Sequence, residues 1–92
     1  MNQLTRNLAV EWAADGIRVN CVAPWYTATP LAQQVLQNQE YKDAVLSRTP
    51  MKRIAEPWEV AATVSFLSSR AAGFITGQVL SVDGGYSVMG FF

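Results

Sequence analysis

Apolar residues at Leu4, Leu8 and Trp12 recur at every fourth position, with Met1, Ala9 and Val10 beside them and Arg6, Asn7 and Glu11 polar. That period draws one apolar stripe along a helix from Asn2 to Ala14, with Gly16 placed to close it as a left-handed residue. Asn2 is the candidate cap, yet the stripe already runs at Met1, so the helix reads as entered partway along its length. The pattern then switches to alternation. In "IRVNCV" the positions Ile17, Val19 and Cys21 face one way and Arg18 and Asn20 the other, which predicts a strand of about six residues that stops at Pro24, a residue with no ladder hydrogen bond to donate.

Beyond the strand, "VAPWYTATP" sets two aromatics and several small residues between an apolar run and a helix start. Thr29 can cap the next helix with Pro30 at its first position. Leu31, Val35 and Leu36 give that helix a weak apolar side, and Gln33, Gln34, Gln37, Asn38 and Gln39 make it amide-rich. A second short helix is expected over 40–48, before the prolines of "TPMKRIAEP". Pro57 starts the strongest helix, whose face of Val60, Ala61, Val64 and Leu67, flanked by Trp58 and Phe66, runs to Ser69. "QVLSV" is apolar enough for a central strand, and Asp83-Gly84-Gly85 reads as a turn. Strand, helices, strand makes a βαβ unit with parallel strands and a right-handed crossover. Such a pair expects further strands at its edges and helices on both faces, more than this sequence supplies.

Composition sharpens that expectation. A chain of 92 residues is one domain at most, and at this size folding buries little more than ~60% of the unfolded surface. Half of the residues are hydrophobic (50%) and only 15% are charged, which excludes a disordered tail and suggests burial on more than one side. Seven basic and seven acidic residues cancel, and Lys52-Arg53 is the one adjacent basic pair, so neither nucleic acid nor an anionic membrane is an expected partner. Without histidine, and with Cys21 alone, the usual zinc ligands and any internal disulfide are missing. Cys21 reads as a small core residue, and Trp12 and Trp58 as packing residues on helical faces. Arg53 and Glu56 are an expected ion pair. No signal peptide or apolar span stands out, so a reducing, cytoplasmic compartment is the expectation.

Three segments together, "NQLTRNLAVEWAADGIRVNCVAPWYTATP", "RTPMKRIAEPWEVAATVSFLSS" and "FITGQVLSVDGG", resemble the C-terminal part of a short-chain dehydrogenase/reductase, most closely the plant tropinone-reductase-like branch. The resemblance spans residues 1–92 and implies an α/β fold: the C-terminal portion of a Rossmann-type parallel-sheet domain, without the N-terminal dinucleotide-binding half. It implies that the substrate loop and lid occupy about residues 24–50, at the carboxyl end of a strand where open parallel sheets bind ligands. Pro24 then starts the loop, Thr27 holds the carboxamide of NADP(H) or NAD(H) through its backbone, and Thr29 offers the cofactor a hydroxyl. The family usually has Ile or Val at the position of Thr27. Trp25 and Tyr26 would face a small carbonyl substrate beneath the amide-rich lid.

The family's catalytic Ser and Tyr-x-x-x-Lys set has no match here, and the glycines form no G-x-G-x-x-G turn. Tyr41 is followed directly by Lys42, the wrong spacing. The family's Tyr and Lys lie upstream on the helix that matches Asn2–Ala14, so a truncated reductase, inactive as an isolated chain, is the expectation. The alternative is a non-enzymatic protein that self-associates or docks onto full-length relatives through helix 2–14 and through helix 57–69 with the last strand, elements that form subunit interfaces in the family.

Overall fold

Helix α1 (Asn2–Trp12) tightens into a 3₁₀ turn over Ala13–Asp15 and stops at Gly16, whose φ of 77° lets its amide reach the Ala13 carbonyl. The computed structural model describes residues 1–89. Met1, not Asn2, is the capping position; Asn2 already lies in the first turn. The buried side of α1 also departs from the stripe. Thr5 and Ala9 are buried, whereas Leu4 and Val10 are exposed and Leu8 is only half-covered.

Strands β1 (Cys21–Pro24) and β2 (Val79–Val82) pair in parallel, Cys21 opposite Val79 and Pro24 opposite Val82. The first strand therefore starts later than alternation predicts and includes the proline. Its expected early part has one backbone bond, from the Gly77 amide to the Val19 carbonyl, and is otherwise held through side chains. Arg18 donates to the Ile75 and Ser69 carbonyls, the Val19 amide donates to Thr76 Oγ1, and Asn20 bridges the Ile75 carbonyl and the Gln78 amide. Pro24 is tolerated because the amides of Cys21 and Trp25 are the ones that face β2. In a parallel pair alternate residues point the other way, so the missing proline N–H falls on the unused side.

Between the strands lie α2 (Pro30–Val35), α3 (Gln39–Ser47) and α4 (Pro57–Leu67). Thr29 and Asn38 cap α2 and α3 by accepting the amides of Ala32 and Tyr41. A reciprocal capping box of Glu56 and Glu59 starts α4. Among the described residues the sheet is two-stranded, the parallel βαβ arrangement that the pattern predicts.

The apolar core is thin: Ala9, Leu36, Val45, Leu67 and Ala72. On α4 only Leu67 is buried, and Val64 and Phe66 are exposed. Trp58 is 68% exposed and Trp12 38%, so neither packs as expected, and Cys21 is half-buried. The radius of gyration is 15.7 Å, against about 12 Å for a compact chain of this length. The accessible surface of 6682 Å² exceeds by about a quarter what a compact monomer of this mass exposes. Among the described residues no helix is long and apolar enough to cross a membrane.

Candidate functional site

The loop that leaves β1 is held at both ends by backbone bonds. The Trp25 amide continues the sheet by donating to Val82 (3.1 Å), and two residues later Thr27 forms an isolated parallel bridge with Ala55. Ala55 accepts from the Ala28 amide at 2.8 Å and donates to the Tyr26 carbonyl at 2.9 Å. In that arrangement the N–H and C=O of Thr27 itself point away from Ala55. Its carbonyl accepts the Thr29 amide at 2.7 Å, and its hydroxyl folds back onto the Trp25 carbonyl at 3.0 Å. The polar group that sets Thr27 apart is thus bonded within its own loop.

The aromatics fix the loop laterally. The Trp25 indole stacks on Tyr86, with centroids 3.7 Å apart and planes 10° from parallel, and it meets Tyr26 edge-on at 4.9 Å. Its Nε1 donates to Thr49 Oγ1 at 3.0 Å. Tyr26 hydrogen-bonds through its hydroxyl to that of Tyr41 on α3, which raises the Tyr26 phenol above its ordinary pKa. Thr29 accepts the Ala32 amide at 3.2 Å as the cap of α2. A hydroxyl also carries a proton to donate, so the cap leaves that capacity in place.

Pro24, Trp25, Tyr26, Thr27 and Thr29, the residues singled out in the sequence, line one open concavity of about 350 Å³ together with Ala32. A second hollow of about 300 Å³ lies across the Trp25–Tyr26 wall, among Met51, Arg53, Glu59 and Asp83. Its charged groups are internally satisfied. The partner of Arg53 is Glu59, not Glu56: the guanidinium forks onto both carboxylate oxygens at 2.7 and 2.9 Å, and Glu59 also accepts the Glu56 amide. The sequence spacing does not reveal this, because it depends on Glu59 being turned back by the capping box. Asp83 accepts the amides of Gly85 and Ser87, and its pKa is lowered by the Ser87 side chain first and by these amides after it.

Two predictions arise here. The Arg53 fork and the Glu56 amide hold the Glu59 carboxyl at about 2, below its ordinary 4.5. A folded-state value depressed in this way adds stability above pH 4.5 that is lost as pH falls towards 2. Thermal unfolding followed through that window will fall more steeply for the native chain than for Glu59→Gln. The second concerns the cap. Thr29→Ala removes the acceptor of the Ala32 amide and weakens the start of α2 by about 1 kcal/mol, read as faster hydrogen exchange at Ala32, while Thr29→Ser retains the protection.

Comparison with known proteins gives this geometry its context. The sequence profile of the family described as "Enoyl-(Acyl carrier protein) reductase" matches residues 1–87. The chain belongs to the short-chain dehydrogenase/reductase family. A tropinone reductase homolog of Arabidopsis thaliana is 58% identical to it over 91 residues, which are 99% of this chain and 34% of the relative. A chloroplastic tropinone reductase homolog of the same plant is 56% identical over 92 residues, all of this chain and 29% of that relative. This short-chain dehydrogenase/reductase chain therefore spans about a third of the length of the relatives it matches.

Among solved structures, a candidate 2-deoxy-d-gluconate 3-dehydrogenase from Agrobacterium tumefaciens with bound NADP superposes with a TM-score of 0.92 at 39% identity, over 96% of this chain and 36% of that one. A short-chain dehydrogenase family protein from Francisella tularensis gives 0.82 at 34% identity, over 96% and 40%. The fold described above is thus part of the family's Rossmann-type domain.

Thr49, Tyr41 and Tyr86, which fix the loop, carry no signal in the sequence pattern. Thr49-Pro50 reads only as a break between helices, and both tyrosines reach the loop through tertiary contacts.

Proposed function

We propose that these residues are the substrate loop and lid portion, about 24–50, of an NAD(P)(H)-dependent carbonyl reductase of tropinone-reductase type. The observation that carries this reading is the convergence of Pro24, Thr27 and Thr29 with Trp25 and Tyr26 on one concavity at the carboxyl end of β1, where open parallel sheets take their ligands. The fit to a nicotinamide is chemical. The outward N–H of Thr27 and the hydroxyl proton of Thr29 offer donors to a carboxamide oxygen, and Pro24 and Ala32 add apolar wall. When bound, the cofactor supplies the hydride; this chain's part is to orient the nicotinamide and cover the carbonyl compound. Trp25 serves as a fixed wall and Tyr26 as the aromatic nearest the lid.

In this reading the glycine-rich turn and the Ser, Tyr and Lys of the chemistry belong to residues outside these 92, and the isolated chain transfers no hydride. A direct test combines the isotope-labelled 92 residues with the upstream two-thirds of the Arabidopsis relative and titrates NADP. Shifts of the Thr27 and Thr29 amides are the expected outcome; a complex that binds NADP without moving either amide contradicts the assignment.

A second reading, a non-enzymatic protein that self-associates or docks onto full-length relatives, draws on the exposed apolar residues of α1 and α4, including Leu4 (55%), Val10 (81%) and Trp58 (68%). Light scattering after gel filtration separates the two. A defined dimer or tetramer indifferent to NADPH favours docking, and a chain that becomes monodisperse only with the upstream part favours the reductase reading.

A further inference from the structure

Thr49 is a polar residue at 1% exposure in a chain with little core. Its hydroxyl donates to the Val45 carbonyl at 2.8 Å and accepts the Trp25 indole N–H at 3.0 Å. A hydroxyl has one proton, so the direction of this relay is fixed: indole N–H to Oγ1, Oγ1–H to the last turn of α3. The methyl of the same side chain packs on the glycine turn, since a Cβ built on Gly84 would meet Thr49 Cγ2 at 3.1 Å. One residue therefore joins three parts that are distant in sequence: the loop after β1, the end of α3, and the turn after β2.

The consequence runs through Trp25. Its side chain is pinned by Thr49 and Tyr86, its amide by Val82, and its carbonyl by the Thr27 hydroxyl. Displacement of Trp25 as a whole residue, not rotation of its ring, would carry that carbonyl, and with it Thr27 and the bridge to Ala55. Valine has almost the same shape as threonine and would fill the space beside Gly84 as well, so packing alone does not call for a hydroxyl here. What the hydroxyl adds is a link from the end of α3 to the Trp25 side of the loop, separate from the Tyr26–Tyr41 bond.

We propose that Thr49 is a positioning residue for the 25–29 loop: through Trp25 it sets where the Thr27 amide and the Thr29 hydroxyl stand, and it makes α3 and the loop move as one body. The hydrogen-bonded junction stands by itself; its meaning for a bound nicotinamide rests on the reductase reading above. Because the lid helix is coupled to the cofactor side of the loop, a substrate that closes α3 also adjusts the residues that face the nicotinamide.

The test uses amide and indole NMR of the whole 92-residue chain. In the native chain the Trp25 indole proton exchanges with water at least about tenfold more slowly than that of the exposed Trp58, as a buried hydrogen bond requires. Thr49→Val abolishes that protection and shifts the amides of Thr27, Ala28 and Thr29, whereas Thr49→Ser, which keeps the hydroxyl and loses the methyl, restores both. Equal exchange at Trp25 and Trp58 in the native chain overturns the proposal. So does a Thr49→Val chain that frees the indole yet leaves the three loop amides unmoved, since Thr49 would then be structural only. If Thr49→Val loses its dispersed spectrum, the native comparison and Thr49→Ser decide, and a loss of protection in Thr49→Ser counts against the proposal. Failure of NADP to move Thr27 and Thr29 in the combined protein would remove the reductase reading while leaving these results intact.

Discussion

Trp25→Ala lowers the unfolding free energy by about 3 kcal/mol, at the low end of the range for a large aromatic because Trp25 is half-buried. The loss has three sources: the stack on Tyr86, the edge contact with Tyr26, and the acceptor left without a donor at the buried Thr49 hydroxyl. In a domain whose whole stability is on the order of 5–10 kcal/mol, that is a large fraction. Urea unfolding measures it, and Trp25→Phe divides it. Phenylalanine keeps a ring for the stack but loses the indole N–H and one ring of the bicycle, so its deficit is expected at about 1–2 kcal/mol. Equal losses for the two variants would show that the hydrogen bond, not the stack, anchors the loop.

Gly84→Ala has a comparable effect for a different reason. Gly84 sits at φ +59°, a conformation that costs an L-residue about 1–2 kcal/mol. The added Cβ also lands 3.1 Å from the Thr49 methyl and 3.4 Å from Met51 Cβ. Thr49 is bonded at its hydroxyl and cannot swing aside without breaking the link to Trp25. Together these place the expected loss at about 2–3 kcal/mol. Gly16→Ala is the control, because its φ of +77° is also left-handed but nothing lies within 4 Å of its Cβ. The difference between the two variants in denaturant midpoint isolates the contact with Thr49. A Gly84→Ala chain no less stable than Gly16→Ala would mean that the turn carries no packing against Thr49 and Met51.

The contrast between these residues shows where sequence reasoning reaches and where it stops. Gly16, Thr29-Pro30 and Pro57 act through their own backbone or the next turn, so the ends of α1, α2 and α4 are readable from local chemistry. The segment Ile17–Asn20 alternates like a strand, yet its partners lie more than fifty residues away: the Arg18 and Asn20 side chains reach Ile75 and Gln78, and the Val19 amide reaches the Thr76 hydroxyl. The stripe Leu4, Leu8, Trp12 predicts the helix correctly but not its buried face, because burial depends on what lies opposite, and Thr5 and Ala9 are what this chain covers. The concavity after β1 is legible for the same reason as the caps: five of its lining residues are nearly consecutive. Thr49 and Tyr41 are invisible in the pattern, since their roles exist only once α3 has folded back over the loop.

Exposure on α1 and α4 belongs to the same account. An amphipathic helix gains stability mainly by burying its apolar face, and here Val10, Trp58 and Phe66 remain in solvent. Apolar surface of that extent calls for a covering partner, and in the reductase reading the upstream part of the domain and a neighbouring subunit share that role.

The most direct test of the central claim, that this chain holds the nicotinamide and lid side of a reductase without its chemistry, is the rate of NADPH oxidation by the purified 92 residues with a panel of small ketones. No oxidation above the enzyme-free rate is expected at any substrate concentration. Reproducible oxidation, stoichiometric with ketone consumed, would contradict it and would place a hydride-transfer site within these residues.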